Sequence, residues 1–471
     1  MKRLFIASIV LVLTFGLGMA QQANPTDQAS KAEKKSWIKD DLSIANFRAY
    51  DQRGVHVFEA PKEMDKPFEG LKVRVGGNFT QQFQALTHEN TATPRLVEMG
   101  ENEVNLNQLI EIGNGFNLAT ANLNLDVQLA DGIRLNLVTY LASRHHPEAW
   151  VKGGYLQVDK LPMFNSQALD KLMQYVTIKV GHMEINYGDA HFRRTDNGNA
   201  LYNPFVGNYI MDAFNTEIGG EIYFRHAGAL AMIGVSGGEI KGAITNPDSR
   251  APAVYAKLGY DKQVNDGLRL RLTGSIYTTE KSANNTLYGG DRGGSRYYMA
   301  LQPALVRDWR TGAIRAASES SDFTTGRFNP GFRSKVTAVM VNPFVKVGGL
   351  ELFGTYEYAV GGSAAEVAKK ESGDWDELRA WNQLAVEVIY RFFQNENLYL
   401  GGRYNKVSGD LSAPGNEVSI DRIQLGMGWF LTPNILLKGE YVNQQYRDFP
   451  DTDYRNGGVF KGLMLEAVVG F

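Results

Sequence analysis

Leu123, Leu125, Val127 and Leu129 alternate with Asn122, Asn124, Asp126 and Gln128; after Ala130-Asp131-Gly132 the alternation resumes, with Ile133, Leu135, Leu137 and Leu141 against Arg134, Asn136 and Tyr140. Successive side chains of a strand point to opposite faces, so this hairpin has one apolar and one polar side. Leu268, Leu270, Leu272 and Ile276 repeat the pattern, as do Ile423, Leu425, Met427 and Trp429. Leu463, Leu465, Ala467, Val469 and Phe471 carry it to a C-terminal aromatic. Many such segments of about ten residues, separated by turn residues, predict an all-β transmembrane antiparallel up-and-down β-barrel with its apolar face toward lipid. A soluble β-sandwich would alternate too, and the rest of the sequence argues against it.

The N-terminus points the same way. Lys2 and Arg3 precede an apolar run from Leu4 to Leu17, and Gly18-Met19-Ala20 supplies small residues for cleavage, so residues 1–20 read as a signal peptide. The apolar run is short for a membrane helix, and no other stretch approaches the roughly 20 apolar residues a helical span requires. With no cysteine in the chain, disulfides, thiolate metal sites and Cys nucleophiles are excluded. The 50 glycines, 22 tyrosines and 24 phenylalanines suit pleated strands with aromatic girdles. A formal net charge of −2 gives no argument for nucleic acid, so any charge selectivity must come from local placement.

Candidate strands fall at about 71–83, 116–129, 133–144, 151–159, 175–184, 212–225, 227–238, 251–260, 268–279, 295–306, 333–347, 349–360, 379–392, 397–409, 417–430, 434–445 and 460–471. Tight turns such as Asp131-Gly132 and Leu431-Thr432-Pro433-Asn434 alternate with long links such as 185–211, 361–378 and 445–459. A barrel with both termini on one side needs an even strand number, and tracing from both ends leaves a gap that 311–325 would fill. The expectation is therefore 18 strands, or 16 if two short segments belong to a loop. The barrel spans 71–471. Residues 21–70, with an early charged stretch at Lys31, Lys34, Lys35, Lys39, Asp40 and Asp41, read either as a periplasmic or lumen-lying segment or as a leader before the first strand.

The link from Ile185 to Phe205 and on to residue 211 is too long for a simple turn. It mixes Asp189, His191, Arg193, Arg194 and Asp196 with Tyr187, Phe192, Tyr202 and Phe205. Folded inward, it would form a pore constriction with opposed charges; outside, the same residues would solvate a surface loop. Arg74, Arg134, Arg269, Arg271, Arg403 and Arg422 sit in phase with polar neighbours and are candidate pore-lining residues. Guanidinium rows attract anions. Asp126, Glu351, Glu387, Asp421 and Glu440 can also face the lumen, and Arg–carboxylate pairs would then brace the wall instead.

No chemistry-bearing motif competes with a transport reading. The seven histidines form neither an HExxH arrangement nor a partner to a GxSxG elbow, and His145-His146 lacks further fixed ligands, so no metal or other cofactor is expected. Gly289-Gly290-Asp291-Arg292-Gly293-Gly294 has no Lys-Ser/Thr continuation and reads as a flexible outer loop.

Taken together, the signal-like N-terminus, the amphipathic strands from 71 to 471, Ile178-Lys179-Val180-Gly181-His182-Met183 leading into a long loop, and the terminal pattern through Phe471 make the chain resemble the bacterial outer-membrane porins. It is most similar to porin-like barrels of the phosphate-selective type. The resemblance covers about nine-tenths of the chain. It implies a homotrimer in the outer membrane, a loop folded into each lumen, basic side chains guiding anions, and assembly by the barrel-insertion machinery reading the terminal strand. The dense lysine cluster of a phosphate pore is not evident here. The function expected is passive diffusion of small hydrophilic solutes or anions, with loop 185–211 as constriction and no catalytic step. A plugged barrel that binds a partner through its outer loops is the alternative, and a lipase- or protease-like enzyme ranks third.

Overall fold

The computed structural model describes residues 44–471 except 147, 241–243, 245, 246, 248, 249, 291, 292, 309 and 310. The expected signal peptide, the charged stretch at 31–41 and the centre of the Gly-rich piece at 289–294 lie outside the described residues.

The strands, in chain order, are β1 Lys72–Glu89, β2 Leu96–Met99, β3 Asn102–Asn105, β4 Gly115–Ala130, β5 Ile133–Ala142, β6 Ala149–Val158, β7 Val176–Glu184, β8 Thr216–His226, β9 Ala229–Ser236 and β10 Ala253–Asn265. There follow β11 Leu268–Thr279, β12 Leu305–Arg307, β13 Ile314–Ala316, β14 Lys335–Val347, β15 Leu350–Gly362, β16 Arg379–Phe392, β17 Leu398–Asp410, β18 Glu417–Thr432, β19 Ile435–Arg447 and β20 Val459–Gly470. Among the described residues, two short helices, α1 Gln167–Met173 and α2 Ala364–Ser372, lie in connections.

Sixteen strands form a closed antiparallel barrel, while β2–β3 and β12–β13 are separate two-stranded hairpins. Closure runs through β1 and β20, paired from Asn78↔Gly470 to Glu89↔Val459. Phe471 extends the seam: its N–H donates to the Gly77 carbonyl, and the Gly77 N–H donates back, both at 3.0 Å. Strand phase decides the faces. Leu123 is 41% exposed and its neighbour Asn122 only 4%. Leu270, Leu272, Leu425, Met427, Leu463 and Leu465 likewise stand on the outer surface, with Arg271, Thr273, Gln424 and Glu466 buried inside. An exposed apolar outer face over a polar inner one suits a barrel surrounded by lipid.

The expectation of 18 strands is corrected to 16, because β11 pairs directly with β14. Neither 295–306 nor 311–325 enters the wall. Arg296, Met299 and Leu301 have φ of 74°, 55° and 57°, a left-handed backbone that breaks the pleat. Residues 293–303 are buried throughout instead of alternating, and the remainder contributes only the β12–β13 hairpin.

Connections differ between the two ends. At the end where β1 starts, the links 131–132, 227–228, 266–267, 348–349, 393–397 and 433–434 are tight, with 159–175, which holds α1, as the long exception. At the other end lie 90–114, 185–215, 237–252, 280–334, 363–378 and 448–458, with shorter links at 143–148 and 411–416. In 363–378, Ser363 and Glu366 form a capping box that starts α2, and Gly373 in the left-handed region ends it.

Candidate functional site

The barrel interior is occupied mainly by three segments that the wall holds through its inward polar residues. The longest-reaching is the 185–215 connection, nearly all of which is buried. It leaves β7 through Gly188, whose φ of 69° favours glycine, and turns across the lumen. Asp189 is the first anchor: Arg271 donates to it through Nε and Nη2 at 2.8 Å each, Thr273 Oγ1 at 2.7 Å and Lys257 Nζ at 3.1 Å. Arg193 pairs with Glu351 and, at 3.1 Å, with Glu387. Arg194 makes a two-pronged bond to Asp212 at 2.8 and 2.6 Å, tying the loop to its own return limb.

Main-chain groups at the loop's tip are satisfied by the wall, as burial requires. The Val206 N–H donates to Glu440 (2.8 Å), Ile210 N–H to Asn405 (2.7 Å) and Met211 N–H to Gln383 (3.1 Å). Lys438 Nζ donates to the carbonyls of Ala200 and Phe205, both at 2.9 Å, and Arg403 Nη1 to that of Gly207 at 2.8 Å. From β1 and β4, Thr80 Oγ1 donates to the Gly198 carbonyl at 2.7 Å and Asn122 Nδ2 to that of Asp196 at 3.0 Å. A Cβ on Gly198 would come within 2.6 Å of the β4 backbone, so this approach requires glycine.

The 280–334 connection adds a second layer. Tyr288 and Tyr297 donate their hydroxyls to Glu357 (2.8 Å) and Glu440 (2.6 Å), Arg296 pairs with Glu466 at 3.5 Å, and the Phe328 N–H donates to the Ile210 carbonyl of the first loop at 2.6 Å. The third segment, residues 44–70, runs across the end where the tight turns lie. The Gln52 N–H donates to the Pro433 carbonyl (2.8 Å), Tyr50 Oη to Asp126 (2.9 Å), and Lys62 Nζ to Asp159 and the Val176 carbonyl (3.0 and 2.8 Å). Glu59 accepts a 2.8 Å ion pair from Arg271.

What these segments leave is a cavity of about 210 Å³ against the wall formed by β4 to β8. Val138 faces it in phase with Arg134 and Asn136, and the register shift beside it leaves Lys152 of β6 as the extra residue. Lys152 Nζ pairs there with Glu184 (3.1 Å) and with Asp196, while His191 bonds Glu184 through Nδ1 and Asn186 through Nε2 (2.9 Å). Of the five expected constriction residues, His191, Arg194 and Asp196 border the cavity, whereas Asp189 and Arg193 anchor the loop elsewhere.

Among the six expected lining arginines, Arg134 borders the cavity, bonded to Asp126 and Gln157 at 3.0 Å each. Arg74 packs on Phe47 and Tyr50; Arg269 pairs with Asp261 at 2.7 Å; Arg271 binds Asp189; Arg403 pairs with Glu387 at 2.8 Å; Arg422 donates to Gln444 at 2.6 Å and to the Asn208 carbonyl. These five brace loops or wall. Sequence reading missed Arg48, Lys152 and Lys179 at the cavity. Lys179 could have been found by applying to lysines the strand phase applied to arginines; Lys152 shares the phase of the outward Leu156 and turns inward only at the bulge, and Arg48 lies in a segment without periodicity. Among the described residues, no cluster of three or more acidic or histidine side chains is placed to hold a metal ion.

No protein-family model matches the chain, and no curated protein matches it in sequence. Among solved structures it is similar to the anion-selective porin of Comamonas acidovorans, at 11% identity over 85% of this chain and 100% of that one, with a TM-score of 0.47. Salmonella typhi OmpF, in complex with daunomycin, matches at 12% identity over 85% and 98%, TM-score 0.46. The trimer form of Vibrio cholerae OmpT matches at 12% identity over 86% and 100%, also with TM-score 0.46. The barrel's strand number and closure rest on this chain's own pairing.

Proposed function

We propose that this chain is a bacterial outer-membrane channel that passes small hydrophilic solutes by diffusion along a narrow, off-axis route rather than through a wide central pore. The observation that carries the reading is the polar cavity between the β4–β8 wall and the infolded segments, inside a barrel whose outer face is apolar. Barrels of this strand number leave an aqueous lumen unless it is filled, and here loops fill much of it. His191, Arg194 and Asp196 then form one side of the constriction and Arg134, Lys152 and Lys179 the other. Asp189 and Arg193 set the loop's position. No chemical step is involved: the lining sets size and charge limits. The homotrimer implied by the porin resemblance belongs to the same reading and is checked by mass measurement of the detergent-solubilised protein.

The test is single-channel conductance of the purified protein in a planar bilayer, with the reversal potential under a salt gradient. Small, stable open steps are expected, with a potential of the sign for anion preference, because cations outnumber carboxylates around the cavity. Silence from a barrel whose folding is confirmed by heat-modifiable gel migration would instead favour a plugged, partner-binding barrel, a reading to which the many loop–wall bonds lend weight.

A further inference from the structure

The charges around the cavity do not cancel. Arg48, Arg134, Lys152, Lys179 and Arg194 border it, against the carboxylates Glu184 and Asp196. Arg134 is neutralised by Asp126 and Arg194 by Asp212, while Lys152 takes both Glu184 and Asp196. Two cations remain. Among the described residues, no carboxylate lies within 4.0 Å of Arg48 or Lys179. Arg48 donates Nε to the Gly54 carbonyl (3.1 Å) and Nη2 to the Phe192 carbonyl (3.0 Å), and among the described residues its Nη1 has no acceptor.

Both cations rest on aromatic rings. The Arg48 guanidinium carbon is 3.7 Å from the centroid of Tyr202, and Lys179 Nζ lies 5.0 and 5.5 Å from those of Tyr223 and Tyr155. Ring faces attract and orient a cation without cancelling its charge. A recessed cation with no carboxylate in contact is costly, even where Glu184 and Glu59 act on Arg48 from farther off, and an anionic ligand offsets that cost. Phe47 and Phe58 add further apolar surface to the same cavity. Its 210 Å³ equals the liquid volume of roughly seven waters. The chemistry therefore suits a small anion with a flat apolar body better than a strongly hydrated inorganic one.

We infer that the cavity is a binding site for a small aromatic carboxylate, its carboxylate drawn to Arg48 and Lys179 and its ring packed on the surrounding aromatic side chains. The site deepens the channel reading, on which it depends only for the ligand's route. Lys179 also borders a smaller adjoining cavity of mixed charge with Glu59 and Arg225, whose Nη1 donates to the Ala60 carbonyl at 2.6 Å.

The experiment is titration calorimetry on the full folded protein in detergent with benzoate, inorganic phosphate and benzylamine, followed by conductance recordings with benzoate added. Benzoate is expected to bind at least about tenfold more tightly than either comparison ligand. Lys179→Gln, at a strand position whose side chain makes no hydrogen bond among the described residues, and Arg48→Gln should each weaken benzoate by about fivefold or more, with unchanged heat-modifiable migration. Equal binding of benzylamine would overturn the charge assignment, and equal binding of phosphate the aromatic one. Unchanged benzoate affinity in the Lys179 variant would overturn the site even if the Arg48 variant misfolded. Benzoate binding to a protein that does not conduct upholds the site while removing the channel; open channels that ignore benzoate remove the site and leave the channel.

Discussion

Buried carboxylates on the wall act as fixing points because each must find donors, and the infolded loops supply them. Glu357 accepts hydroxyls from Tyr187 (3.0 Å) and Tyr288 (2.8 Å), and Glu387 accepts Tyr209 at 2.7 Å as well as Arg193 and Arg403. The orientation of Arg134, Arg271, Arg403 and Arg422 toward the lumen followed from strand phase. Their partners did not, because Asp189 is 82 residues from Arg271 and the Asn208 carbonyl 214 residues from Arg422. This changes what substitution of the loop arginines should do. Removing one partner of a buried pair costs roughly 3–5 kcal/mol by leaving the other charge uncompensated. Replacing Arg193 and Arg194 with Ala strands Asp212 and weakens the hold on Glu351 and Glu387. The temperature at which the barrel loses its fast-migrating folded form should fall, and single-channel recordings should become larger and noisier as the loop loosens. A clean loss of anion preference with unaltered thermal migration would mean that the two arginines act on the permeating ion rather than as anchors of the loop.

At the level of elements, the wall strands were legible wherever apolar and polar residues alternate over ten or more positions, because that pattern has one solution at a lipid–water boundary. It failed at 295–306, where Tyr297, Ala300 and Leu301 mimic a short strand. There the apolar groups face other loop and wall residues inside the barrel, so burial imposes no period of two. Residues 44–70 were illegible for the same reason: their structure is dictated by partners such as Pro433, Asp159 and Arg271, scattered around one end of the barrel. That segment borders the cavity through Phe47, Arg48, Tyr50, Phe58 and Ala60. Deleting residues 44–61 while keeping everything before and after should therefore raise conductance and weaken discrimination between ions, with the barrel still heat-modifiable. Unchanged conductance in the deleted protein would mean that the segment does not obstruct the route.

For the whole molecule, closure at the β1–β20 seam separates two explanations of the terminal aromatic. In energetic terms Phe471 adds little: two main-chain hydrogen bonds to Gly77, worth a net of roughly 0.5–1.5 kcal/mol each, beside the long β1–β20 ladder already in place. Phe471 is 51% exposed, so its burial within the protein is modest. If Phe471 matters only through stability, deleting it should leave membrane yield nearly intact and lower the unfolding temperature of the barrel slightly. If the alternation through Leu463, Leu465, Ala467, Val469 and Phe471 is read during assembly, yield should fall several-fold, roughly in line with a kinetic rather than a stability defect. The fraction that does insert should then unfold at nearly the parental temperature. The retained pairing from Asn78↔Gly470 onward makes a large stability defect the wrong explanation for any loss of yield, and a several-fold loss is the outcome expected if the strand is an assembly signal. Quantifying both the inserted fraction and its heat-modifiable transition in the same membranes distinguishes them, and normal yield from the truncated chain would count against a recognition role for the C-terminal strand.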